Sequence, residues 1–529
     1  MKMIKQSRVA VSMLLAIAAL VGGAQAAPVQ ALSGAQLQAQ GKLRVIVAFK
    51  PGKAAAARAA IAAAGGREVV SLDEVNAVAV ELPSKALAAL QRSPHIDYIE
   101  ADASRQAFAA PARNSRIDAT SAGSQTVPYG ISMVQADQLP DSLAAGRKLC
   151  IVDSGYEVTH EDLIGNTVGG VNLTTSGEWY TDEAHHGTHV GGTVSAVNNA
   201  LGVVGVMPGK RINLYIAKVF DVTGSASSSV IAKAMLSCMQ ARANVVSMSL
   251  GGSGASKIEE AVVNLLAGRN MLIIAAAGNG GSSAVSYPAG FANVVSVAAI
   301  DSNKVVAPFS QFNSDVELAG PGVGVLSTVP MGTGAEASLS VDAVSYPVLP
   351  MAGSPNGTVT STLANFGLGD VVNPAVAGKT CLIQRGTIAF SDKVLNCQNS
   401  GGVGAVIYNN TAGPLNGTLN GVVTTIPSAG VSDTDGAALL GRLGEVATLK
   451  VMPSNYAIFD GTSMATPHVS AVAALVWSYF PHCTAKQIRS SLANSAQDLG
   501  VPGRDVYYGF GLVQANAAYT RILTLGCGA

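Results

Sequence analysis

The stretch Gly461 to Phe480, GTSMATPHVSAVAALVWSYF, constrains this chain most, because it is small and apolar on nearly every side. A helix of that kind has no face for water, so it must be buried in a large body. Thr462 is a candidate cap, and Pro467 stays near the first turn, so a helix starting here puts Ser463 at its N-terminus. Free backbone N–H groups and the positive dipole end favour negative charge beside Ser463, as an acyl-transfer nucleophile requires. A serine at a helix start is more often only a cap, so the chemistry needs partners.

Two partners are present. Asp153 ends the apolar run Lys148-Leu-Cys-Ile-Val-Asp and precedes Ser-Gly, which predicts a carboxylate at the C-terminal tip of a buried strand. His186 opens His-Gly-Thr-His-Val-Gly-Gly-Thr193, with glycines small enough for a helix to pack closely on a sheet. With VDSG, HGTHVGGT, SLGG, AAAGN and GTSMATPHV in succession, the chain resembles the subtilisin family of serine proteases over about 125–330 and 455–520. The order Asp, His, Ser is that of subtilisin itself. The resemblance implies that His186 takes the proton of Ser463, that Asp153 orients the imidazole, and that His189, one helical turn on, is a packing residue. A zinc reading of His186-x-x-His189 lacks a paired Glu or Cys at metal spacing.

Few charges and abundant Gly and Ala in 529 residues suit large buried parallel sheets, and strands alternating with helices over Leu214–Ala277 predict an α/β, doubly wound, mostly parallel sheet. Before Gln125 there are 14 basic and 8 acidic residues, and from there on 19 and 25, so no nucleic-acid surface is expected. Residues 1–26 combine a basic start, a short apolar run and Ala24-Gln-Ala26, the pattern of a secretory signal peptide, so a secreted protein without stable membrane insertion is expected. Residues 41–108 read as a small α+β unit within 27–124. Its layout resembles the inhibitory propeptide of subtilisins, an intramolecular inhibitor cleaved somewhere in the polar connector Ala109 to Ser124. The family then implies autoprocessing, protein or peptide substrates and a monomer.

Three separated stretches resemble the high-affinity calcium site of the family. They offer amide oxygens from Gln125 and Asn199, a carboxylate from Asp162, and backbone carbonyls of Val197, Leu201 and Val203, an oxygen set that suits Ca2+. Read without the family, Asn198-Asn199 is only a turn. Ser249-Leu250-Gly251-Gly252 ends a predicted strand, and the resemblance makes it the segment that pairs with substrate as an added strand. Asn279 resembles the oxyanion-hole asparagine, although Asn279-Gly280 alone is a turn. No acidic residue occurs from Asn279 to Tyr287, which argues for a broad or apolar preference over a Lys or Arg pocket.

Ser463 lies 135 residues beyond Thr328, where the family normally leaves some twenty. The insert, 335–450, resembles the protease-associated (PA) domain that some subtilisins carry, between catalytic segments 125–334 and 451–529. Cys381 and Cys397 can staple a strand to a helix within it. The other four cysteines allow three pairings, of which Cys150 with Cys238 and Cys483 with Cys527 is expected.

Overall fold

The computed structural model describes residues 41–108 and 125–529. The expected signal peptide and the connector Ala109 to Ser124 lie outside the described residues.

Residues 41–108 form a four-stranded antiparallel sheet in the order Arg67–Leu72, Ala77–Pro83, Lys42–Phe49, Ile96–Ala101. Side chains alternate across it. Val45, Val47 and Phe49 pack under the helices with Ala57, Ile61 and Leu90, while Ile46 and Ala48 face the other way into a core shared with helices Ser228–Gln240 and Lys257–Gly268. The strand Arg67–Leu72 carries no clean alternation and was not anticipated. After the third strand in chain order comes a 3-10 turn, Ser84–Ala86, running into five helical residues, Leu87–Gln91.

The central body is a seven-stranded sheet, parallel at every pairing, ordered Val316–Pro321, Val294–Ile300, Leu272–Ala276, Val245–Met248, Lys148–Asp153, Asn213–Lys218, Thr167–Asn172. Strand Lys148–Asp153 is the switch point, since the chain first lays the edge strand Thr167–Asn172 and fills in Asn213–Lys218 on one side of it, and then crosses to the other. Ligand sites of such sheets lie at the carboxyl ends of the strands beside that switch, and Asp153 is the last residue of this strand. Helices His186–Ser195 and Thr462–Tyr479 cover one face, and Ser228–Gln240 with Lys257–Gly268 the other. Every side chain from Thr462 to Ser478 is buried, as the composition of that stretch demands. A disulfide joins Cys150 on the central strand to Cys238 on the helix beneath it, and another joins Cys483 to Cys527.

The insert has its own eight-stranded sheet and the disulfide Cys381–Cys397. Its strand Gly334–Val341 pairs antiparallel with Val446–Ser454, so the sheet reaches a few residues beyond 335–450 at the C-terminal end. Just outside it, Val325–Thr328 pairs antiparallel with Tyr456–Phe459. The chain therefore leaves and re-enters the central body at neighbouring points, which is how the long insertion is accommodated. Among the described residues no helix is long and apolar enough to cross a membrane.

Candidate active site

Asp153, His186 and Ser463 are delivered by a strand tip and two helix N-termini on the same edge of the sheet. A Cβ on Gly187 would lie 2.2 Å from the Gly155 carbonyl oxygen, so glycine lets the histidine helix close onto the turn after Asp153. The His186 Nδ1–H donates to Asp153 Oδ1 at 2.7 Å, which leaves Nε2 as the acceptor nitrogen; Nε2 is buried and has no hydrogen-bond partner. Burial opposes charge on His186, but the Asp153 carboxylate, by charge and by hydrogen bond, with Asp182 beyond it, more than offsets that, and the imidazole pKa is raised. His189 behaves differently. Burial and the neighbouring His186 push it down to about 3, it stacks on Phe459, and its Nε2 lies 3.0 Å from Val325 O and 3.1 Å from Ala457 O. It is a neutral packing residue.

The cleft is filled by the chain's own N-terminal unit. Strand Ser104–Ala107 lies between Leu250–Gly251 and Ser225–Ser227, antiparallel to both, with Leu250 opposite Ala107 and Gly251 opposite Gln106. The Phe108 N–H donates to Ser249 O at 3.3 Å. The Phe108 carbonyl oxygen accepts from Asn279 Nδ2 at 2.8 Å and from Ser463 Oγ at 2.8 Å; Ser463 Oγ also lies 3.0 Å from Ser249 O. A Cβ on Gly252 would sit 2.4 Å from Ser104 O, and one on Gly251 2.7 Å from the Phe108 ring. Close approach of a peptide backbone therefore requires glycine at 252, and a side chain at 251 would displace the Phe108 ring. The expected segment 249–252 and Asn279 all meet this strand.

Three features were not anticipated. Thr462 does not cap its helix, whose N-cap is Gly461; its N–H and hydroxyl both donate to Asn279 Oδ1, at 2.9 and 2.8 Å, which turns Nδ2 toward Phe108. Ser225–Ser227 form the second wall of the cleft, from a polar stretch that reads as a loop. Phe108, one residue before the expected cleavage region, presents its carbonyl oxygen to both Asn279 and Ser463.

Gln125, Val197, Asn199 and Val203 converge as well. Gln125 Nε2 donates to Val197 O at 2.7 Å, to Val203 O at 3.0 Å and toward Asn199 Oδ1 at 3.3 Å. Asp162 accepts from Asn199 Nδ2 at 2.9 Å and from the Val203 N–H at 2.7 Å, and the Leu201 N–H donates to Asn199 Oδ1. Three oxygens crowd around one donor, as around a cation. Turning the Gln125 amide over would add a fourth oxygen, giving part of the six or more oxygens that Ca2+ takes, with the Asp162 carboxylate bonded to Asn199 and Val203 of the same group.

The model of the subtilase family matches residues 144–347 and 440–511, that of the PA domain 344–439, and that of the fervidolysin N-terminal prodomain 39–102. Subtilisin J of Geobacillus stearothermophilus is 35% identical over 318 residues, 57% of this chain and 78% of that protein. Subtilisin DY of Bacillus licheniformis is 41% identical over 216 residues, 40% of this chain and 77% of that protein. Among solved structures, the psychrophilic subtilisin-like protease Apa1 from Pseudoalteromonas sp. AS-11 superposes with a TM-score of 0.62 at 40% identity, covering 77% of this chain and all of that one. Fervidolysin from Fervidobacterium pennivorans, a keratinolytic enzyme related to subtilisin, shares the fold at a TM-score of 0.58 and 21% identity, over 90% of this chain and 61% of that one.

Proposed function

The chain belongs to the subtilase family and is a subtilisin-like serine protease with a prodomain, and on that premise we propose that it is a secreted, calcium-stabilised endopeptidase that matures by cutting its own Phe108–Ala109 bond. The observation that carries this reading is the Phe108 carbonyl, held between Asn279 Nδ2 and Ser463 Oγ at 2.8 Å each. In this reading that carbonyl is the scissile one, and a substrate's would take the same place.

In the proposed reaction Ser463 Oγ attacks the carbonyl carbon while its proton passes to His186 Nε2, the unpartnered acceptor. Asp153 holds the tautomer and stabilises the imidazolium, and Asn279 donates to the oxyanion. His186 returns its proton to the leaving amine, and a water activated by the same imidazole then releases the acid and frees Ser463. The Phe108 ring against Gly251 supports a preference for a large apolar residue before the bond. Of the region 27–124, residues 27–108 are the proposed propeptide and the connector 109–124 stays on the mature chain; 125–334 with 451–529 are the catalytic domain, and 335–450 the PA-like insert. The pattern of 1–26 supports export, and the enzyme is proposed to act as a monomer.

Gln125, Asp162, Val197, Asn199, Leu201 and Val203 are the proposed calcium ligands. The ion, when bound, supplies charge compensation that ties three loops together. Burial raises the Asp162 pKa against the hydrogen bonds from Val203 and Asn199, a cost that a cation would remove.

The test compares the wild type with Ser463→Ala by intact mass, N-terminal sequence and casein hydrolysis, in calcium and after chelation. A wild type that begins at Ala109 and digests casein, beside an uncut and inactive mutant, is the expected result. Identical processing of both forms, or a start elsewhere, would overturn the assignment of the bond. Chelation is expected to shorten the half-life of the wild type on heating.

A further inference from the structure

Counting back from the Phe108 carbonyl, Arg105 is the fourth residue on the acyl side, and its side chain is wholly enclosed. Its guanidinium meets Glu259 in a two-pronged pair, Nε to Oε1 at 3.1 Å and Nη2 to Oε2 at 2.6 Å, with 0% of either side chain exposed. The remaining donors reach backbone carbonyls: Nη1 to Ser104 O at 3.0 Å and Ser253 O at 3.3 Å, and Nη2 to Gly254 O at 3.0 Å. Ser253, Gly254 and Glu259 belong to the segment that continues from the substrate-pairing glycines into helix Lys257–Gly268. Apart from Ser104 O, which the occupant's own backbone supplies, the acceptors are thus part of the enzyme.

Every group aimed at the guanidinium is an acceptor. A planar fork of five donors matches a carboxylate plus two enzyme carbonyls, whereas the single ammonium of lysine would leave part of the set unpaired. An aliphatic side chain would bury the Glu259 carboxylate without a partner, which a site built for a charged ligand rejects strongly.

We propose that Glu259 makes the fourth residue before the cleaved bond a specificity position for arginine, so that the preferred substrates are peptides with arginine there and a large aromatic residue at the bond. This rests on Phe108 being the acyl residue. Glu259 acts on binding and touches no reacting atom, so its effect belongs mainly in KM.

The experiment uses the mature enzyme and four acylated p-nitroanilides, X-Gln-Ala-Phe, with X arginine, citrulline, lysine or leucine. The expected order of kcat/KM is arginine first, with leucine and citrulline lower by about 30-fold or more, carried by KM, since breaking a buried charge pair costs at least that much. In Glu259→Leu the preference for arginine over leucine should be lost or inverted, and in Glu259→Gln it should shrink. A changed ratio within one variant cannot come from poor folding, and the wild-type comparison needs no variant at all. Equal or better cleavage of the leucine peptide by the wild type would overturn the proposal. Cleavage of none of the four, by an enzyme that digests casein, would instead remove Phe108 as the acyl residue and the proposal with it.

Discussion

At the scale of residues, the site depends on groups that are aimed before the reaction begins. Asn279 cannot turn freely, because Thr462 occupies its oxygen twice over. Asn279→Ala is therefore expected to lower kcat by about 10²- to 10³-fold with KM little changed, the loss known for the oxyanion asparagine of subtilisin itself, read from steady-state kinetics on a peptide anilide. The pH profile follows from His186. A base must be neutral to accept a proton, and this imidazole pKa is raised, so activity should fall as pH drops through a value above the ordinary 6.5. A kcat/KM profile whose acid limb lies below 6.5 would contradict that ordering of charges. The places of Asp153, His186 and Ser463 were legible in the sequence because each stands on a local pattern, a strand tip or a helix start, while their roles could be read only from one another and from the resemblance. Glu259 was not. It sits in the first turn of an ordinary amphipathic helix, where an acidic residue is expected for the helix dipole alone, and Arg105 resembles any strand arginine. Only the register that brings them together reveals the pair, and register between segments 154 residues apart has no signature in either.

At the scale of elements, the N-terminal unit holds the enzyme by completing two of its helices. Asp102 accepts from the Ser229 N–H and the hydroxyls of Ser228 and Ser229 at the start of Ser228–Gln240, a helix with no side-chain cap of its own. Glu100 accepts from the N–H groups of Lys257 and Ile258 and from Ser256 Oγ at the start of Lys257–Gly268. Each helix start is positive and short of acceptors, so a carboxylate from outside serves both needs. In the uncleaved Ser463→Ala chain, Glu100→Ala and Asp102→Ala should each weaken the docking of the N-terminal unit by about 1 kcal/mol, seen as a lower urea midpoint for its release. The strands and long helices of the central body follow from apolar runs that a sheet buried on both faces requires. The extended segment Ser104–Ala107 was not foreseen, because its four residues carry no alternation and exist as a strand only between two others.

At the scale of the whole molecule, the insert hangs from a ready-made hairpin. The Val329 N–H donates to Asn455 O at 2.9 Å, continuing the pairing of Val325–Thr328 with Tyr456–Phe459. Replacing everything between Val329 and Asn455 by a two-residue Asn-Gly turn should leave a folded protease whose kcat/KM on a small anilide stays within about threefold of the full chain. Loss of folding on that excision would mean that the insert's sheet supports the central body. The same connectivity also sets the order of events in synthesis. The helix that fills the middle of the central core and carries Ser463 follows both the N-terminal unit and the insert in the chain. A chain still emerging from the ribosome therefore lacks its nucleophile and the packing that would seat it, while the segment that plugs the cleft has already been made. On the proposed reading, assembly order and the plug together shield the surroundings during manufacture, and the first bond within reach of the finished site is the one already lying across it.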